Sequence, residues 1–427
     1  MRFFYLKNME IKALYEIYKI SQLVDTDTRK IRENSIFFAL KGENFNGNKF
    51  AEKALQLGAK FAIIDEKKYQ TKENIILVDD VLETLQALAN YHRKKLSIPI
   101  IALTGSNGKT TTKELIHIVL SKQYKAIATK GNLNNHIGVP LTLLSILPEH
   151  EIAIVEMGAN HQKEIEFLCS ICEPDYGYIT NFGKAHLEGF GGIEGVIKGK
   201  CELYTYLKNS RKIAFINTND SIQLEKSEGI KQIPLNSKEI TFVDANPFVT
   251  ISVKGKIIKS NLIGAYNYSN ILAAISIGEY FNVEDSAIEK AIKNYTPDNN
   301  RSQVIEKENH KIILDAYNAN PSSMQVALEN FAKLAHEEQL VILGDMFELG
   351  SESFKEHQAI ADLTNSLNFK EIYFVGKHFY QVNTNGKKFK TFDELKNFLI
   401  ENPITQKSIL IKGSRGMQLE RVLELIN

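Results

Sequence analysis

The sequence predicts an α/β protein of three domains, an expectation that rests on three observations. A strand, a glycine loop and a helix follow one another over residues 98–120, the last third of the chain alternates apolar runs with helix-period segments, and 427 residues exceed what a single hydrophobic core organises. The expected division is a small α/β domain at 1–96, a central phosphate-loop domain with a mostly parallel sheet at 97–299, and a Rossmann-like doubly wound domain at 300–427.

In the first domain, Ser35 to Leu40 reads as a strand. A polar glycine loop (KGENFNGNKF) follows, then a helix at Phe50 to Leu57, strands at Phe61 to Ile64 and Ile75 to Val78, and a helix from about Leu82 to Lys94. Asp25, Thr26, Asp27, Thr28 and Arg29 suit a sugar or diphosphate, and they equally suit capping and turn duties.

The central domain opens on the apolar run Ile98 to Leu103 and the loop T-G-x-x-G-K-T-T, a variant of the phosphate-loop pattern in which Leu103 stands where a glycine is usual. Gly105 and Gly108 let the backbone approach an oxyanion, and the N–H groups of Ser106, Asn107 and the helix N-terminus point at it. Lys109 adds a full charge, and Thr110, followed by Thr111, offers a hydroxyl to magnesium. Nucleoside triphosphate binding follows. The loop after the next short strand carries Asn132, Asn134, Asn135 and His136, with a helix starting near Pro140. Strand Ile152 to Val155 ends in Glu156, placed either to hold magnesium or to cap and pair locally.

After strand Tyr176 to Thr180 comes a glycine-dense stretch expected to hold no regular element. His186 in it is either a ligand or a surface or packing residue. Lys198 and Lys200 are expected to open the helix bearing Leu203, Tyr204 and Leu207, against its dipole. Strands follow at Ile213 to Ile216, Ile240 to Val243 and Phe248 to Val253, the last folding back on Lys256 to Ile258. Ala273, Ala274, Ser276 and Gly278 then allow a helix to pack closely on the sheet.

The third domain's strands (Ile312 to Leu314, Leu340 to Leu343, Ile372 to Val375, Ile409 to Ile411) alternate with helices starting near Pro321, Glu352, Phe392 and Gly416, which predicts a parallel sheet. Polar residues gather where those strands end: Asp315, Asn318 and Asn320, then Asp345 and Glu348, then Lys412 to Arg415. A second nucleotide-type fold without a phosphate loop suggests a lid that contributes to a shared site.

Composition narrows the classes. Lys plus Arg number 52 against 51 Asp plus Glu, too balanced for a nucleic-acid or membrane-surface binder. No segment reaches ~18 uninterrupted apolar residues, so a soluble, cytoplasmic protein is expected. Cys169, Cys172 and Cys201 are too few and too uneven for a disulfide framework, and the C-x-x-C at 169–172 falls on a helix-period apolar stripe, as core packing.

The segments TGSNGKTT, GNLNNHIGVPLT, EMGANHQKEI, ITNFGKAHLEGFG, KGKCELY, DAYNANPSSM, LGDMFELG and IKGSRGM resemble, in order and over essentially the whole chain, the landmarks of the Mur ligases. The resemblance implies an ATP- and magnesium-dependent ligase that joins D-alanyl-D-alanine to a UDP-N-acetylmuramoyl-tripeptide through an acyl phosphate, acting as a cytoplasmic monomer. It implies roles for particular residues. Lys109 holds the terminal phosphates, Thr110 and Glu156 one magnesium, and His186 a second; Lys200, by its K-x-x-L-Y spacing, is the lysine carried as a carbamate and a further metal ligand. Asn267 and Asn270 lie near adenine, Arg301 reaches the transferred phosphate, and Asp315 stands near the nucleotide. Asp27, Thr28, Asn134 and Asn135 meet the UDP-sugar, and Asn318, Asn320 and Ser322 the peptides. Tyr266 and Asn48 depart from the family's usual histidines. The rival readings are another Mur ligase, a folylpolyglutamate synthetase, or a nucleotide-switched binding protein.

Overall fold

The computed structural model describes residues 11–297, 301–334 and 338–426. The expected boundary at 299/300 therefore lies outside the described residues. Three main sheets follow along the chain. The first is parallel, with β1 (Val24–Asp25), β2 (Ile36–Phe38), β3 (Phe61–Ile64) and β4 (Ile75–Leu77) side by side in that order.

The second sheet is parallel throughout. Its strands are β5 (Ile100–Thr104), β6 (Ala126–Ala128), β7 (Ile152–Glu156), β8 (Tyr176–Ile179), β9 (Ile213–Ile216) and β10 (Lys231–Pro234), in the spatial order β10-β9-β8-β5-β7-β6. All residues of β5 and β7 are buried, as expected for strands covered on both faces. Chain direction across the sheet reverses around β5, so the loops after β7 and β8 flank the loop after β5. A three-stranded antiparallel sheet of β11 (Ile240–Ala245), β12 (Phe248–Val253) and β13 (Lys256–Ile263) packs beside it.

The third sheet holds β14 (Gln303–Lys307), β15 (His310–Asp315), β16 (Gln339–Gly344), β17 (Glu371–Val375), β18 (Lys387–Phe389) and β19 (Ser408–Lys412), in the order β14-β15-β19-β16-β17-β18. The four expected strands are parallel, as predicted; the unforeseen β14 adds to them as an edge strand, paired antiparallel with β15 through a tight hairpin. The helix expected from Gly416 is instead two 3-10 segments, Arg415–Met417 and Leu419–Leu425, broken where Gln418 takes a left-handed φ of 50°.

Two further expectations are corrected. The glycine-dense stretch contains the helices Leu187–Phe190 and Ile193–Lys200, the second with Gly195 and Gly199 inside it. Gly199 is required there, since a Cβ would stand 2.4 Å from the Phe190 ring. Lys198 and Lys200 lie in the last turn of Ile193–Lys200, where a cation complements the dipole, and Leu203 belongs to the next helix, Glu202–Asn209. The small-residue helix Asn267–Tyr280 packs closely on the phosphate-loop helix Lys109–Leu120, where a Cβ at Gly278 would meet Val119 at 2.4 Å, and also against the sheet, where Tyr280 meets the Tyr176 and Phe215 rings.

Helix Val81–Arg93 fastens the first unit to the second. Arg93, 8% exposed, pairs with Asp175 at 2.8 Å and donates to the carbonyls of Cys172 and Glu173. Asn90 donates to the carbonyls of Ser170 and Ile171, and His92 bonds the Ile146 carbonyl at 2.9 Å. One connected apolar core includes Leu88, Val139 and Met324, and so reaches into all three units. Both C-x-x-C cysteines are buried in it, as expected of packing residues. Among the described residues no helix is long and apolar enough to cross a membrane.

Burial keeps two histidines below their ordinary pKa of 6.5, His92 at the first interface and His357 in the third unit. As pH falls below about 6.5 the unfolded chain takes up protons before the folded one does, so stability is complete above that value and is lost below it. The urea midpoint should therefore drop between about pH 7 and about pH 5.5, and His92→Gln should flatten that slope relative to the parent chain.

Candidate active site

The loop after β5 is shaped by two close approaches. Gly105 (φ 145°) and Gly108 (φ 77°) occupy backbone conformations that side chains avoid, and added Cβ atoms would stand 2.0 Å from Thr180 Oγ1 and 2.7 Å from Asn270 Oδ1. The segment after β8 grips the loop from outside. Asn181 accepts from the Asn107 N–H at 3.0 Å and returns a bond to its carbonyl at 2.9 Å, Thr180 Oγ1 donates to that carbonyl at 2.6 Å, and Ser106 Oγ donates to Gly183 O at 2.9 Å. The N–H groups at the helix N-terminus are thereby held facing the cleft. Lys109 Nζ folds back onto the carbonyls of Gly105 (2.7 Å) and Ser106 (3.2 Å). Desolvation pushes its ammonium down to about 8, against the pull of Glu156 and with a smaller push from Arg301.

Glu156 ends β7 at 1% exposure. Its Oε1 accepts from Asn134 Nδ2 at 2.8 Å and more weakly from Thr110 Oγ1 at 3.4 Å. Asn134 reaches it only because residue 158 is glycine, since a Cβ there would lie 2.9 Å from the Asn134 side chain. Glu156 Oε2 is buried with no hydrogen-bond partner among the described residues. An unpaired anionic oxygen beside a threonine hydroxyl fits a small divalent cation. Magnesium takes few protein ligands and completes its shell with phosphate oxygens and water, so a single carboxylate and a hydroxyl suit it; among the described residues no group of three or more His, Cys, Asp or Glu stands together.

Lys200 lies behind this site, not in its wall. It is 1% exposed, with Nζ 3.2 Å from the Ala159 carbonyl and 5.0 Å from the centre of the Phe190 ring. Burial, then the Lys109 charge, push its pKa well below the ordinary lysine value.

The third unit supplies the opposite wall from its strand ends. Asp315 and Lys412, cross-strand partners on β15 and β19, form an ion pair at 2.5 Å, and Lys412 also donates to the Asn318 carbonyl. Arg301 lies over the Tyr317 ring at 4.0 Å, with its Nε buried and unpartnered among the described residues. Asn320 both caps helix Pro321–Ala332 and donates to Asn107 Oδ1 at 2.8 Å, while Ser322 accepts the Lys184 N–H at 2.9 Å. His186 pairs with Glu348 across the same junction.

A cleft of about 950 Å³ lies between these walls. Ser106, Asn107, Gly108, Lys109, Thr110 and Thr111 line it, as do Asn134, Asn135, Glu156, His186 and Arg301. Asn267, Asn270, Asp315, Asn318, Asn320 and Ser322 complete the expected residues that it brings together. Gly105 and Lys200 stand just behind the wall. Asp27 and Thr28 are elsewhere, and Asp27 is occupied in capping the turn Thr28–Lys30 and pairing with Arg29 at 2.7 Å. Asn267 and Asn270 are engaged in a chain from Thr112 Oγ1 through Asn270 and Asn267 to the Ile263 carbonyl, which braces the phosphate-loop helix. Asn135 caps helix Gly138–Leu143 by accepting from the Gly138 N–H. Tyr266 bonds Ser302 between the second and third units, and Asn48 bonds Asp65. The expected site residues omitted Asn181 and Tyr317; the only signal for either was its place in a polar strand-end loop.

Three family descriptions match successive parts of the chain: "Mur ligase family, catalytic domain" over residues 21–93, "Mur ligase middle domain" over 103–278 and "Mur ligase, glutamate ligase domain" over 300–415. The UDP-N-acetylmuramoyl-tripeptide--D-alanyl-D-alanine ligase of Bacillus subtilis is 33% identical, covering 94% of this chain and 92% of its own. A crystal structure of MurF from Acinetobacter baumannii superposes with a TM-score of 0.83 at 29% identity, over 96% of this chain and 97% of that one. MurF ligase from Thermotoga maritima in complex with ADP gives 0.82 at 25% identity, over 95% and 97%.

Because Lys109 titrates near 8 in the open loop, a bound polyphosphate should draw a proton onto it. Nucleotide binding should take up protons at and above about pH 8 and weaken as pH rises further, measured by calorimetry in buffers of different ionisation enthalpy. Lys109→Met should abolish the uptake.

Proposed function

The chain belongs to the Mur ligase family, and from that premise we propose that its cleft performs the reaction for which its relatives are named: ATP-dependent ligation of D-alanyl-D-alanine to UDP-N-acetylmuramoyl-tripeptide in peptidoglycan precursor synthesis. The observation that carries the reading is convergence. A phosphate loop, a buried carboxylate with one oxygen unpaired among the described residues, and an arginine from a separate unit whose Nε is likewise unpaired all face one cleft.

A carboxylate is a poor electrophile, so the tripeptide's terminal carboxylate attacks the γ-phosphorus of ATP, ADP departs, and an acyl phosphate forms. The amine of D-alanyl-D-alanine then adds to the acyl carbon, and the tetrahedral intermediate collapses to an amide with release of phosphate and a proton. Positioning and neutralisation of charge dominate such a transfer. The loop N–H groups and Lys109 hold the terminal phosphates, and Arg301 approaches the group in flight from the opposite wall. Thr110 and Glu156 would hold a magnesium ion and His186 would face a second; when bound, such ions would supply charge neutralisation at the phosphoryl oxygens. Asp315, paired with the buried Lys412, stands near the nucleotide. Asn134 and Asn135, with Asp27 and Thr28 farther out, serve the UDP-sugar, while Asn318, Asn320 and Ser322 serve the peptide ends.

Lys200 is the lysine we assign to carbamate formation. Its buried amine is held toward the neutral, nucleophilic form, which would add to carbon dioxide with loss of a proton and would then offer an anionic oxygen to a cation. The same reading takes the chain to act in the cytoplasm as a monomer.

Phosphate release from ATP should require the UDP-sugar tripeptide and D-alanyl-D-alanine together; release with neither would overturn the ligase reading in favour of a nucleotide-switched binder. Lys109→Ala should lower turnover by roughly 1,000-fold with unchanged melting temperature. Lys200→Ala should be inactive and partly restored by short carboxylates, whereas normal turnover without them would exclude the carbamate.

A further inference from the structure

One junction between the second and third units is built in more detail than docking needs. His186, at the start of helix Leu187–Phe190, has a left-handed φ of 53°, and the Glu348 it meets has φ 63°, both unfavourable for residues with side chains. On the third-unit side, the Met346 N–H donates to Nε2 of the fully buried His357 at 3.0 Å, and the Phe347 N–H donates to Ser414 Oγ at 3.0 Å. These two bonds fix the backbone from which Glu348 projects. Across the junction the Glu188 N–H donates to the Glu348 carbonyl at 3.2 Å, and Lys184 pairs with the buried Glu356 at 2.7 Å.

A carboxylate only accepts, so the Glu348 contact requires the proton on His186 Nδ1 and leaves Nε2 as the free lone pair when the ring is neutral. Such a carboxylate–histidine pair is how proteins orient a metal-binding imidazole and raise its basicity. Glu348 is half-exposed, so the pair contributes little to stability, and its effect lies in the direction of the ring.

We propose that Glu348 is a positioning residue for the ligase reaction: from the third unit it fixes the tautomer and orientation of His186 in the second, so that Nε2 is presented to the cleft only while the third unit is docked. The proposal rests on the reading of His186 as a cation ligand. It makes the second cation position dependent on two units, and couples closure of the cleft to its readiness for phosphoryl transfer.

The test uses the full chain with Glu348→Ala and Glu348→Gln. Nitrogen-15 spectra of labelled histidine should show His186 with its proton on Nδ1 in the parent chain and a mixture of tautomers in Glu348→Ala, with Glu348→Gln, which keeps an acceptor, in between. The magnesium concentration for half-maximal phosphate release should rise roughly 10–100-fold in Glu348→Ala, with the KM for tripeptide and the melting temperature unchanged. An unchanged tautomer or an unchanged magnesium dependence in Glu348→Ala overturns the proposal and leaves the ligase reading standing. Normal magnesium dependence in His186→Ala would overturn the ligand assignment on which it rests, and substrate-independent phosphate release by the parent chain would overturn the ligase reading itself.

Discussion

The cleft depends on a steric constraint: Thr180 and Asn270 approach the backbone at Gly105 and Gly108 more closely than any Cβ allows. That contact draws the end of β8, the phosphate loop and helix Asn267–Tyr280 into one rigid block. The hydrogen bonds from Thr180 and Asn181 to Asn107 then leave the loop little freedom to collapse. A loop of this kind meets its anion already ordered, so little of the binding energy goes to arranging it.

Around that block the electrostatics are unbalanced in an instructive way. Two lysines, Lys109 and Lys200, are driven below their ordinary pKa by burial, while Glu156 keeps one oxygen unpaired. Left alone, each arrangement costs stability. A bound polyphosphate with its cation would relieve the lysine in the loop and the carboxylate together. Strain of that sort marks a site shaped for a partner, and is the physical ground for the proposed roles of these residues.

Much of this was legible in the sequence because it is local. Apolar runs such as Ile100–Leu103 and Ile152–Val155 gave the strands, polar clusters at their ends gave most of the cleft wall, and spaced glycines marked the loop. What was misread depends on packing between distant segments. Gly195 and Gly199 sit inside a helix because Phe190 presses against it, which no local propensity discloses. The two lysines assigned to a helix start lie at a helix end, because the chain passes directly from one helix into the next at Cys201. Asp27 and Thr28 carry polar groups suited to a ligand, yet Asp27 serves a nearby turn. The docking of the first unit through Asn90, His92 and Arg93 left no pattern at all, since single side chains reaching distant carbonyls have no period.

That docking has a consequence for how a long substrate is read. Arg93 and Asp175 join the first unit to the second, so on the proposed reading a sugar held in the first unit stands at a separation from the phosphate loop that this contact helps to set. A molecule anchored at its nucleotide end must then be of one length for its far terminus to reach the cradle. On that reading the scaffold would act as a ruler, with stem length entering selection through distance as well as through side-chain contacts.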